Sequence, residues 1–242
     1  MDLEMNLWDI VWRIGITIGG GIASIVVWEL FKMFGPKGVY DRITKWERRI
    51  RLRDKIYPII VRKSFDLTSN QEQINPISLK EQLRSELRKL FSEFNLEFID
   101  TRNDYQLVLN IERSGIKFQM KIDLEPPDEY SEEFRILVAQ MADVKFKSIE
   151  RVLNVIFWNL NDLTQAFSEM SIKPTSNKVK VELTSDDIKV YLELMDTLKV
   201  ESIVGSNLSV RKRDNSTVVA IEDKMGPELA KRMRELVILG HL

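Results

Sequence analysis

Hydrophobic and polar positions follow three rhythms along this chain. The first rhythm is continuous. Residues 14–28 carry no charge, and apolar character continues outward through Ile10, Val11 and Trp12 on one side and Leu30, Phe31, Met33 and Phe34 on the other. As a helix, Trp12 to Trp28 would rise about 24 Å, against the ~30 Å of a bilayer's hydrocarbon core. Trp8, Trp12 and Trp28 fall where interfacial aromatic residues sit, and Arg13 and Glu29 lie close enough to the ends to reach headgroups. The pattern predicts a transmembrane anchor within residues 1–35. The acidic start, with no small-residue cleavage site after the apolar core, argues against a cleaved secretory signal. Gly15, Gly19 and Ala23 recur every four residues, a spacing that lets helix backbones approach closely and predicts association of the span with a second copy.

The second rhythm begins after Gly35-Pro36, where proline stops the first helix. Tyr40, Ile43, Trp46 and Ile50 recur at spacings of three to four. Around them stand Lys37, Arg42, Lys45, Arg48, Arg49, Arg51, Arg53 and Lys55. This predicts a basic amphipathic juxtamembrane helix over 36–66, closing near Pro58. Lys37 to Lys55 with Trp46 then form a surface for anionic phospholipid, worth about 1 kcal/mol per basic residue near the headgroups. Basic residues beside Trp46 also suit nucleic acid. Attachment to a span makes lipid the nearer anion, so direct nucleic-acid contact is not favoured.

The third rhythm mixes both periods. Ser78 and Glu81 have capping-box spacing, and Leu79, Leu83, Leu87, Leu90, Phe91 and Phe94 line one face of the helix that follows. Two strands then alternate, Tyr105 to Ile111 and Ile116 to Leu124, joined at Ser114-Gly115, which predicts a β-hairpin. A third strand is expected over 134–144, a short edge strand over 96–100 and a long helix over 148–170. After a boundary at 173–178 the theme repeats on a smaller scale. A strand (Val179, Val181, Leu183) precedes a helix capped by Ser185 and reaching about Val200. A hairpin turning at Asp214-Asn215 and a helix from Pro227 complete it. The expected fold class is α+β: an antiparallel sheet packed with helices over 67–174, then a C-terminal βαββα segment over 175–242.

Charge sharpens the topology. Residues 32–63 hold 11 basic and 3 acidic side chains, whereas residues 64–242 hold 24 basic and 30 acidic. The excess of Lys and Arg after the apolar segment predicts a single pass through the cell membrane, with the N-terminus outside and the large domain cytoplasmic.

Candidate chemistry is sparse. There is no cysteine, and the one histidine is His241. Thiolate metal sites, cysteine nucleophiles and histidine-dependent triads are therefore excluded within the chain. No phosphate-binding glycine loop occurs outside the apolar segment. The carboxylates Asp123, Glu125, Asp128, Glu129, Glu132 and Glu133 cluster around Pro126-Pro127 without the spacing of a calcium loop and read as a solvated loop. Arg211-Lys212-Arg213 reads as solvation or edge protection, and Trp158 as helix packing. No catalytic residue, metal site or cofactor is expected, and the chain reads as non-enzymatic.

The order helix, antiparallel strands, long helix over 78–170 resembles type III secretion chaperone-like domains, which bind proteins. The plan of a glycine-containing anchor, basic collar and non-catalytic cytosolic domain resembles single-pass membrane effectors of prokaryotic defence systems, such as the membrane partner of archaeal short Argonautes. The second resemblance implies a cytosolic protein partner, anionic-lipid binding, and depolarisation of the membrane through homo-oligomeric assembly in antiviral defence. The alternative is a membrane-tethered assembly or secretion chaperone without membrane-disrupting action.

Overall fold

In a computed structural model of the chain, residues 37–67, 75–126, 134–186, 188–213 and 216–240 are described. The chain divides into two compact units, Met1–Arg51 and Leu52–Leu242. The predicted span over 14–28, with Gly15, Gly19 and Ala23, lies outside the described residues. Among those described, no helix is long and apolar enough to cross a membrane.

Helix α1 (Lys37–Leu52) is the described part of the first unit. It is shorter than the sequence suggests. Residues 53–55 turn, and Ile56–Leu67 form not the end of a helix but strand β1. Its side chains alternate, with Tyr57, Ile59, Val61, Phe65 and Leu67 buried. That period of two, over β-branched and aromatic residues, suits a strand better than a helix. Pro58 fits because the β1–β7 ladder starts at Ile59, so at Pro58 the strand is bonded on one side only.

The remaining elements run α2 (Pro76–Leu90), β2 (Asn95–Ile99), β3 (Gln106–Arg113), β4 (Ile116–Glu125), β5 (Phe134–Lys145), a 3-10 turn (Phe146–Ser148), α3 (Ile149–Glu169), β6 (Ile172–Pro174), β7 (Lys178–Ser185), α4 (Lys189–Leu198), β8 (Ser202–Val204), β9 (Leu208–Arg213), β10 (Ser216–Lys224) and α5 (Pro227–Gly240). The hairpin at Ser114-Gly115 forms as expected, with Arg113 opposite Ile116. Both turn residues have positive φ, 56° and 71°, the two-residue turn whose twist matches a hairpin. The turn at Asp214-Asn215 lies outside the described residues.

Two helix starts differ from expectation. Helix α2 begins at Pro76, not Ser78, because the Asn75 side chain accepts a hydrogen bond from the Ile77 N–H at 3.0 Å and proline takes the first helical position. Ser185 ends β7 opposite Thr217 instead of capping α4, which starts at Lys189.

The strands form one sheet in the order β2-β3-β4-β5-β1-β7-β10-β9-β8, with β6 pairing β1 beside β7. Every described ladder is antiparallel. The fold is thus α+β, and residues 67–174 and 175–242 share a single sheet. The order also contains a repeat. β1, α2, a meander ending in β5, then α3 is matched by β7, α4, a meander ending in β10, then α5. The first strand of each half, β1 and β7, meet at the centre.

One face of the sheet carries the core. Ile59, Val61, Met120, Ile136, Val181 and Ile221 share a continuous apolar cluster with Leu83 and Leu87 of α2, Leu160 and Phe167 of α3 and Met233 and Val237 of α5. Each such side chain contributes about 1.5–3 kcal/mol by leaving water. Helices α2, α3 and α5 lie on this face. Strand positions of the other parity, among them Arg62, Lys121, Ala139, Met141, Lys180 and Glu182, form the opposite, open face.

Candidate functional site

Three places on the molecule gather residues with chemical potential. The first is α1. Trp46 is 64% exposed and Ile50 is exposed one turn later, so two large apolar side chains project together. Lys45, Arg49 and Arg51 are exposed and Arg48 is half-buried. Glu47 pairs with Arg51 one turn on. Lys37 and Arg42 fall in the same helix. The other two predicted lipid-binding residues, Arg53 and Lys55, do not. They lie in the turn before β1, where their carbonyls accept from Lys147 N–H at 3.3 Å and Phe146 N–H at 2.9 Å. Between them Asp54 meets the Lys147 ammonium at 3.0 Å. That hydrogen bond holds the exposed Asp54 carboxyl below its usual range.

The second place is the open face beside the β1–β7 seam. The side chain of Glu182 is 3% exposed, and three cations converge on it: Lys180 at 2.9 Å, Arg211 at 3.1 Å and Arg62 at 3.2 Å. Burial alone would raise its pKa, but the Lys180 hydrogen bond and the three charges outweigh burial and lower it. Next to this cluster is a groove of about 660 Å³. It is lined by Lys121, Lys178, Lys180 and Arg62, and by the apolar Ile60, Leu137 and Met141. Lys63 also lines it. Lys63 has core parity in β1 and is only 5% exposed, and burial lowers its pKa.

The third is a polar chain between the sheet and α3. The Arg113 guanidinium reaches the Asn159 side-chain oxygen at 2.7 Å and Asp162 at 2.8 Å, and it stacks over the Phe94 ring at 4.7 Å. Asn159 in turn donates to the Gln140 side-chain oxygen at 3.4 Å. Asn159 and Gln140 are fully buried, so the chain fixes where α3 sits on β5.

The remaining sequence candidates separate. In the acidic stretch, Asp123 is held by Gln106 at 2.8 Å and Lys121 at 2.8 Å, and residues 127–133 lie outside the described residues. Among the described residues no group of three or more His, Cys, Asp or Glu side chains could hold a metal. Arg211 is bound to Glu182 rather than guarding an edge, and β9 is covered by β8. Trp158, expected to pack, is 55% exposed on the outer side of α3. Sequence reasoning missed Lys63 and Glu182. Lys63 had a signal, since it interrupts the alternation Tyr57, Ile59, Val61, Phe65, Leu67. Glu182 had none, because its outward parity beside Val181 and Leu183 reads as solvated.

Comparison of the sequence with known protein families and with curated proteins gave no match.

Proposed function

We propose that this chain is a non-enzymatic, single-pass membrane effector or adaptor. Residues 14–28 anchor it, with Gly15, Gly19 and Ala23 as the face for self-association. Helix α1 captures anionic phospholipid, and the α+β unit is cytoplasmic and binds a protein partner. The observation that carries this reading is the exposed Trp46–Ile50 pair on α1, flanked by Lys45, Arg49 and Arg51. An apolar ridge ringed by cations is the form of an interfacial helix, whose binding grows with buried apolar area and with attraction to anionic lipid. Permeabilisation of the membrane, in antiviral defence, is the effector form of the proposal. A membrane-tethered scaffold or chaperone is the form without it.

The test is binding to liposomes with and without anionic lipid. Replacing Arg48, Arg49 and Arg51 by alanine removes three charges of α1, each worth about 1 kcal/mol at the headgroups. Binding to anionic vesicles should fall by more than about tenfold, with the fold preserved by circular dichroism. Unchanged binding refutes the lipid role. Dye leakage from vesicles, measured with a captured partner, then separates effector from scaffold.

A further inference from the structure

The two ends of the sheet are finished differently. In the first half of the repeat the strands β2 to β5 follow α2, whereas in the second only β8 to β10 follow α4. Counted outward from the central β1–β7 pair, β5 matches β10, β4 matches β9 and β3 matches β8. Strand β2, which covers β3, has no counterpart. Among the described residues no strand pairs with the outer side of β8 (Ser202–Val204).

Hydrogen bonding defines what that edge presents. The Lys212 N–H donates to the Glu201 carbonyl at 3.0 Å, and the Gly205 N–H to the Leu208 carbonyl at 2.7 Å. Residues 201, 203 and 205 therefore turn their backbone groups towards β9. In an antiparallel ladder the alternate residues, Ser202 and Val204, turn theirs outward. Those N–H and carbonyl groups have no partner among the described residues. Exposed edges are normally protected by charge, by proline or by a bulge. At the other end of the sheet, β2 carries Glu97 at its centre, and Arg84 and Arg88 lie over its Phe98 ring at 5.0 and 5.3 Å. Residues 202–208 hold neither charge nor proline. Val204 is 75% exposed, and Leu198 and Val200, just before the strand, are exposed as well.

We propose that β8 pairs antiparallel with β8 of a second copy about a twofold axis at Ile203, joining two ten-stranded sheets into one. The register follows from the free groups. Ser202 stands opposite Val204 of the second copy, and Val204 opposite Ser202, which satisfies the outward N–H and carbonyl groups of both. An axis one residue earlier would need the Val200 N–H, which is already bonded to the Met195 carbonyl at 3.0 Å. Ser202 and Val204 share one parity, so both open faces lie on the same side of the joined sheet. Glu201 faces Gly205 of the second copy, and no like charges meet. The β2 edge does not permit the same contact, because symmetric pairing about its centre would set Glu97 against Glu97. The edge belongs wholly to the unit Leu52–Leu242, and the inference does not depend on the membrane reading.

The experiment is disulfide trapping of the full chain in detergent. The chain has no cysteine, so one introduced thiol has no competitor. Ile203 would meet its own copy in a non-hydrogen-bonded pair, with Cα atoms about 4.5 Å apart. That is within the range a disulfide spans, about 4.4–6.8 Å. Val204 is more exposed, but its copy lies on the diagonal, about 7–8 Å away. Under mild oxidation Ile203→Cys should therefore give a covalent dimer, and Val204→Cys much less. Adding Val204→Pro to Ile203→Cys removes an outward N–H while keeping those that bond β9, and the covalent dimer should be lost. Val204→Lys, at the same exposed position, should also abolish it, with the fold of each variant checked by circular dichroism. Association through the span alone would not distinguish position 203 from 204. Equal cross-linking at the two positions overturns the proposal. So does no cross-linking of Ile203→Cys, the result expected if a different protein supplies the missing strand, or a covalent dimer that survives Val204→Lys.

Discussion

Changing Glu182 to Gln removes one charge from the centre of the sheet while keeping the side chain's shape. The carboxylate is 3% exposed and has Lys180, Arg211 and Arg62 within 3.2 Å. Removing one partner from a fully buried ion pair costs about 3–5 kcal/mol. Here the three cations are 39%, 48% and 49% exposed. They rehydrate when the charge is lost, and the glutamine oxygen still accepts one hydrogen bond. The expected loss is therefore smaller, about 1–2 kcal/mol at pH 7. For a unit of this size that lowers Tm by roughly 2–8 °C. Urea unfolding followed by circular dichroism measures it directly. The pH dependence identifies the cause. The folded-state pKa of Glu182 lies below 4.5, so its contribution is present above that value and is lost as pH falls through the lowered pKa. Wild type and Glu182→Gln should therefore converge as pH drops below 4.5. Equal stability at pH 7, or a gap that does not close in acid, would refute this account.

Three further predictions concern stability. Asn75→Ala removes the side-chain cap of α2 and should cost about 1 kcal/mol in chemical denaturation. Gly240→Ala should cost about 1–3 kcal/mol, because a Cβ there would collide with Ile188 and come within 2.8 Å of Tyr191, where α5 crosses the start of α4. Burial holds the Lys63 pKa below 10.5, so the unfolded chain binds that proton more readily than the folded one. Wild-type stability should rise as pH climbs through the lowered pKa towards 10.5, and Lys63→Met should lack that rise in a pH series of melting curves.

Elements with one unmixed period were legible in the sequence. The hairpin at Ser114-Gly115, strand β5 and helices α3 and α5 fall where alternation or a 3.6-residue stripe places them. Strand β1 was not legible. Its alternation is present, but Pro58 and the basic residues before it extend the character of α1, and Lys63 breaks the apolar parity. Only pairing with β5 and β7, far along the chain, makes a strand of it. The three-residue strands β6 and β8 carry no period at all, because three positions cannot show one. The basic residues of α1 were legible as a charged helix face. Arg53 and Lys55 were assigned to the same face only because the helix end at Leu52 is not marked by glycine or proline. The Glu182 cluster joins β1, β7 and β9, and residues so far apart show no spacing relation before the sheet brings them together.

The position of β1 sets how the unit bears a load. Only residues 53–55 separate α1 from β1, so the chain enters the sheet at its middle strand rather than at an edge. A pull from the N-terminal side therefore acts along β1. The ladder to β5 on one flank and the ladders to β6 and β7 on the other would have to slide together under shear. An edge strand would instead peel away one hydrogen bond at a time. The same placement limits trimming. A cut anywhere within 56–67 removes part of the strand that joins the two halves, so a fragment meant to keep the sheet intact has to begin before Ile56.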